Sequence, residues 1–424
     1  MGSNDRPNRH REEPPAHGAG LPLEPTRLCA RRAAVTSDVM VAIASRWRQL
    51  EAQARPNPFL TFDWMAAWWR AFGEGHEPYV VLVEDPDGTT VGILPLWRSV
   101  KRARTGGTVA TLRFMGDPGS DRLGIVSSRG HEREVVSTAV TFLRQQTRDW
   151  HVLRLRNLDA GSVDLETLEE GFASGHLVIR EPGLASPYLT IRGDWEAFLQ
   201  GKSANFRAEV RRNRGRLERD LDARIRSCSD QTEVRRALEF LFQHSIERFE
   251  GGQSSFTDPR FREFHLEVAS RLNATGRLSC QVLEIEGAIA AVHYDFVLGN
   301  VMWYYNASFD QRWSSFKPGS VLLAHVIEDA FERGHQEFDF LLGDHPFKRR
   351  WTNAARQNAH LTVIRPGPHA IAAGALPRYW DQFKDRLKRI LPASAARRQR
   401  AGTSSPSVPT SEPPPASRGL RSFR

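Results

Sequence analysis

SCQVLEIEGAIAAVHYDFVLGNVMWYYNASF, residues 279–309, and FDFLLGDHPFKRRW, residues 338–351, bracket the stretch that decides the fold. The first string reads as three strands, 279–286, 288–297 and 301–308, the first pair meeting at Glu286-Gly287. Pro318-Gly319-Ser320 then opens an apolar helix over 320–333, and a strand follows at 337–342. Proline presets φ for a first helical turn, and the first amides of a helix lack a partner inside it. Such a turn can seat a phosphate, or it can be an ordinary helix start. The polar run beyond strand 337–342 sets Asp339, Asp344, His345 and Lys348 near one strand end. A binding turn beside a polar cluster suits group transfer.

Upstream, a basic helix is predicted over 195–221, with further helices at 231–249 and 259–274 around a Gly251-Gly252 loop. The first half follows a similar order. A helix covers 37–53, and Trp64, Trp68, Trp69 and Phe72 recur at helical spacing in a second. Strands Tyr79–Glu84 and Thr90–Trp97 meet at the turn Asp85-Pro86-Asp87-Gly88. The polar, glycine-rich segment Gly116-Asp117-Pro118-Gly119-Ser120-Asp121 precedes a helix at 131–148 and a strand at 151–156. Each half thus reads helices, hairpin strands, loop, helix, strand. The expected class is α+β, with two similar mixed-sheet domains and disordered termini. Residues 1–26 form the N-terminal segment, 27–184 the first domain, 185–365 the second, and 366–424 a basic tail.

The chain of 424 residues carries a net charge of +9, but the tail 366–424 alone contributes +8 and residues 27–365 only +2. A nearly neutral body argues against a general nucleic-acid binder. Cys29, Cys228 and Cys280 lie far apart, with no metal-binding or disulfide spacing, which predicts no metal site and a reducing, cytoplasmic setting. No apolar run reaches the roughly 20 residues of a membrane span. In the tail, Trp380, Phe383, Leu387 and Ile390 fall on one side of an amphipathic helix. It either packs on the body or makes a peripheral membrane or synthase contact.

Pro58-Phe59 with Trp64, the run His244 to Phe249, Ala290-Ala291-Val292-His293, Lys317-Pro318-Gly319-Ser320, the run Phe338 to Gly343, and Phe347-Lys348 with Trp351 share a further significance. Together they resemble the CelD-like acetyltransferases, a branch of the GNAT acyltransferases associated with cellulose and exopolysaccharide clusters. That branch is similar in its tandem-GNAT architecture to the FemAB peptidyltransferases. The resemblance covers about residues 37–365. It implies an acetyl-CoA donor, with Lys317, Pro318, Gly319 and Ser320 as its binding turn, and a sugar or glycan precursor as acceptor. The chain departs from the usual GNAT pyrophosphate loop, Q/R-x-x-G-x-G/A, because Gln311–Gly319 contains a single glycine.

The resemblance also implies that Lys348 steadies the tetrahedral oxyanion. Asp339 is either paired structurally or a base taking the acceptor's proton, with Asp344 and Glu247 behind it. His293 with Asp295, and Trp303 with Tyr305, are each two apart on adjacent strands, so each pair shares a face. Both pairs facing one cleft would suit an acceptor; buried core packing is the other reading. His244 and Glu247 share a helix face. Arg207 and Arg211 belong to a basic stripe that fits an anionic sugar or glycan precursor, or a solvated helix. The expected activity is therefore acyl transfer to an amine or hydroxyl of a polysaccharide precursor. Aminoacyl transfer from charged tRNA, or an idle assembly role in a synthase, are the alternatives.

Overall fold

The protein is described here by a computed structural model, covering residues 28–34, 38–54, 56–102, 107–248 and 254–367. The glycine pair 251–252 and the amphipathic tail helix lie outside the described residues.

Two antiparallel meanders form the ends of one sheet. In the first half these are β1 (Cys29–Arg32), β2 (Glu77–Glu84), β3 (Thr90–Arg102) and β4 (Thr108–Phe114), with β5 (Val126–Ser127) pairing β3. The helix Glu132–Gln145 then leads to β6 (Val152–Asp159), which runs parallel to β4, and β7 (Leu177–Thr190) follows. In the second half β8 (Ala223–Ser227), β9 (Leu278–Ile285), β10 (Ala288–Leu298) and β11 (Val301–Phe309) form the meander. The helix Pro318–Glu332 leads to β12 (Glu337–Asp339), parallel to β11, and β13 (Ala354–Ile364) comes last. Both halves therefore repeat one order: a meander, a helical crossover and a parallel strand.

The halves join by exchanging their closing strands. β13 pairs β6 of the first half, and β7 pairs β12 of the second. β7 and β13 also pair with each other, so the sheet is continuous from β1 to β8. The boundary expected between 184 and 185 lies inside β7.

Local sequence accounts for the elements that hold the site. Thr61 caps the helix Phe62–Phe72 by accepting from the Trp64 amide, and Trp64, Met65, Trp68 and Phe72 bury one face. The indole N–H of Trp64 donates to Ser120 Oγ, and that of Trp68 to Pro118 O, both at 2.8 Å. The tryptophan helix thereby anchors the loop 116–121. The basic helix is broken at Gly201–Ser203 into Trp195–Gln200 and Ala204–Asp220, because Ser203 caps the second piece through the Phe206 amide. Strand 337–342 ends early, at Asp339. Leu341 adopts φ +54, and the Phe340 amide turns to Pro187 O on β7.

Candidate active site

β11 and β12 pair only over Val301–Trp303 and Glu337–Asp339. β11 then continues to Phe309, whereas the chain after β12 follows β7, with the Gly343 amide donating to Ala185 O. The two strands splay apart and open the sheet. Alternation along β11 sends Tyr304 to one face of this opening and Tyr305 to the other.

On the Tyr304 face lies a cavity of about 180 Å³, lined by Asn213, Arg248, His293, Gly319, Ser320 and Arg350. Gly319 packs tightly there, since a Cβ would meet the Phe309 ring at 3.1 Å. The helix start offers fewer amides than expected. Pro318 has none, and the amides of Ser320 and Val321 both donate to Lys317 O, at 3.0 and 3.1 Å. Gly319 N–H is the amide of that turn left without a partner among the described residues. Cations surround the turn instead: Arg350, Arg212 and Lys317 all hold the Glu209 carboxyl below its ordinary pKa, the Arg350 hydrogen bond most strongly.

On the Tyr305 face, a cavity of about 470 Å³ is walled by both halves: Asp117, Asp121 and Arg156 from the first, and Tyr305, Asn306 and Leu342 from the second. Tyr305 Oη bonds Gly119 O at 2.9 Å and His265 Nε2 at 3.2 Å, tying the halves together.

Lys348 stands between the two cavities. Its Nζ donates to Phe340 O and Leu342 O, both at 2.7 Å, and lies 5.7 Å from the Tyr304 ring centre. Three N–H groups with two used leave one without an acceptor among the described residues. Burial lowers its pKa to about 8, with Asp121, Asp339 and Asp344 opposing the shift. Asp121 accepts from the Leu342 amide at 3.1 Å, and among the described residues nothing donates to its other oxygen. Burial raises the Asp121 pKa to about 6, against the pull of the Leu342 amide and Lys348.

The other candidates are dispersed. Asp339 is fully buried; its Oδ1 accepts from the Leu341 amide at 2.8 Å, and its Oδ2 pairs with Arg122 at 2.9 Å and Arg356 at 3.2 Å. No oxygen faces a cavity, so this carboxylate shapes the turn that presents the Phe340 and Leu342 carbonyls to Lys348. Asp344 is exposed and paired with Arg349. Glu247 binds His244 at 2.9 Å in a separate open groove near Arg312. Arg207 donates to the carbonyls of Gln200 and Lys202, and Arg211 pairs with Glu196, so both close local structure. His293 bonds Asp295 at 3.1 Å beneath the Tyr304-side cavity. Trp303 and Tyr305 face the opposite side, where Arg122 lies 5.2 Å from the Trp303 ring centre. The two pairs expected in one cleft are thus separated by the sheet.

Asp121, Asn306, Tyr304 and Arg350 also line the two cavities and were not among the expected site residues. The loop carrying Asp121 had a signal. Gly116 and Gly119 sit at φ +91 and +115, where only glycine is unstrained, so two glycines around a polar run fix the shape of this loop.

Residues 204–349 match the family of the acetyltransferase (GNAT) domain. No curated protein matches the chain. The solved structure of FemX is similar with a TM-score of 0.55 and 11% identity, covering 78% of this chain and 96% of that one. A conserved protein of unknown function from Bacteroides thetaiotaomicron VPI-5482 is similar with a TM-score of 0.52 and 9% identity, covering 78% and 98%. The fold is a tandem GNAT fold, and the residues that match the GNAT domain lie in its second half.

Proposed function

We propose that the protein transfers an acyl group, acetyl foremost, from acyl-CoA to an amine or hydroxyl of a sugar or polysaccharide precursor, in exopolysaccharide or cellulose synthesis. The observation that carries this reading is the buried Lys348 ammonium, which bonds Leu342 at the wall of a hydroxyl-lined cavity and lies 5.7 Å from the ring of Tyr304 at the wall of a cation-rimmed one. The donor diphosphate would lie at Lys317–Ser320, where Arg212, Lys317 and Arg350 supply the charge that one free amide does not. The acceptor's nitrogen or oxygen attacks the thioester carbonyl carbon. A C–N or C–O bond forms, the C–S bond breaks, and the sulfur leaves as the thiol. Lys348 donates its third N–H to the oxyanion. Asp121, with one oxygen unbonded, takes the acceptor's proton in place of Asp339.

Aminoacyl transfer from charged tRNA is the second reading. It is favoured by the scarcity of free amides at the helix start and by the exposed Arg212 and Arg219 on the basic helix. Thermal-shift titration decides between them: stabilisation by CoA and not by tRNA supports acyl-CoA, and the reverse supports the second reading.

A further inference from the structure

The side chains that line the two cavities carry opposite net charge, with Lys348 and Arg122 standing behind Asp121 and outside the lining. Arg248 and Arg350 face one glutamate, Glu209, on the Tyr304 side. Asp117 and Asp121 face one arginine, Arg156, on the Tyr305 side. The arginine is 58% exposed and reaches Asp117 only at 3.9 Å. The histidines of this second cavity do not offset the acids. Burial lowers the pKa of His265 to about 3 and that of His360 below its ordinary value, so both are neutral at pH 7.

The polar groups here are also incompletely used. Asn306 lies on β11 beyond the end of its pairing with β12, and among the described residues nothing bonds its carboxamide. One Asp121 oxygen is likewise unbonded. A carboxamide, a carboxylate and the exposed Ser255 offer donors and acceptors for sugar hydroxyls, with Phe256 and Phe261 as apolar walls. An acidic ligand entering this cavity would meet two carboxylates, whereas an ammonium would be drawn toward them.

We propose that the Tyr305-side cavity selects a cationic, otherwise uncharged amino sugar as acceptor, with Asp117 and Asp121 attracting the amine and Asn306 orienting the ring hydroxyls. This rests on the acyl-transfer reading and replaces the anionic acceptor expected from the basic helix. The ammonium gives one proton to Asp121, which passes it to solvent, and the neutral nitrogen attacks the thioester. The second proton goes to the departing sulfur, so amide and thiol are the products.

The test uses the full chain with glucosamine, glucose and glucuronic acid as probes. Saturation-transfer NMR without donor should show glucosamine bound more tightly than glucose, and glucuronic acid not bound. With acetyl-CoA, thiol release should follow the same order. Asp117→Lys should raise the KM for glucosamine at least tenfold, and Arg156→Glu should lower it several-fold. The CoA-induced thermal shift should be unchanged in both, which also shows that they fold. Equal binding of glucuronic acid and glucosamine, or a KM that ignores both charge changes, would overturn the proposal. Failure of CoA to stabilise the protein while the sugar preference holds would instead sink acyl-CoA transfer and leave the cavity assignment standing.

Discussion

The carboxylate of Asp121 accepts a 3.1 Å hydrogen bond from the amide of Leu342, joining a loop of the first half to the strand end of the second. Leu342 also offers its carbonyl to Lys348 Nζ. One residue's backbone thus holds the proposed base and the proposed oxyanion donor in a fixed relation. Neither half contains the site alone, because β7 and β13 are exchanged between them.

Lys348→Met should lower kcat by about 10²–10³-fold, the usual loss of one oxyanion donor. Two carbonyls lose a partner, at about 1–3 kcal/mol each, while the burial of an ammonium is relieved. The opposing effects leave Tm little changed. Measuring kcat and thermal melts together checks this, and a mutant with full turnover removes the assigned role.

The kcat profile should be bell-shaped. Asp121 works as a base only when ionised, above about pH 6, and Lys348 is an ammonium only below about pH 8. Asp121→Asn should abolish the acid limb. Stability has its own signature. Lys348 binds fewer protons in the folded than in the unfolded chain between its lowered and ordinary pKa, so its contribution rises as pH increases through that window. For Asp121 the folded chain binds more, so its contribution falls as pH rises from the ordinary carboxylate range to about 6.

Asp339→Asn should behave oppositely to Lys348→Met. It breaks a buried cluster with Arg122 and Arg356; Arg356 keeps Glu337, but Arg122 is left buried without its partner, which costs about 3–5 kcal/mol. Denaturant unfolding should register that loss. Protein that remains folded should keep its acid limb, which would disappear if Asp339 were the base.

The three-strand run 279–309 and the helix after Pro318 were readable because alternation and turn residues agree there. The strand exchange was not. A ladder between β13 and β6 joins residues about two hundred apart, and no local periodicity encodes a partner. The site failed to read through for a related reason. Lys348 could be found beside its own strand end, but Asp121 comes from the other half, and Asp339 stays open between structural pairing and base in the sequence because its two arginines lie far from it along the chain. Trp303 and Tyr305 do share a side, but a register shift between Tyr294 and Asp295 sets Asp295 opposite Tyr304 instead of Tyr305, and that parts the two pairs.

Trp64→Phe should reduce activity without emptying the core. An aromatic ring is retained, but the indole hydrogen bond to Ser120 Oγ disappears, at a cost of about 0.5–1.5 kcal/mol, and the smaller phenyl adds a void at this fully buried position. Ser120 adjoins Asp121, so looser anchoring should appear as faster amide exchange over 116–121 and as lower kcat. Unchanged exchange there would disconnect the tryptophan helix from the site.

Lys317→Gly separates the backbone and charge roles of the proposed donor turn. Lys317 caps the helix at φ +57, a left-handed conformation that strains a residue with a side chain and suits glycine. Relief of that strain and the greater freedom of glycine in the unfolded chain oppose each other, so Tm should move by no more than the equivalent of about 1 kcal/mol. The Lys317 O that accepts from Ser320 and Val321 is kept. What vanishes is one of three cations gathered near Glu209 at the helix start. Affinity for CoA should therefore fall several-fold, and fall more at low salt, where an exposed charge is less screened. Affinity for dephosphorylated pantetheine, which lacks the diphosphate, should be indifferent to the change. A CoA affinity equal to the parent's at every ionic strength would move the diphosphate away from Lys317 and leave Arg350 and Arg212 to hold it.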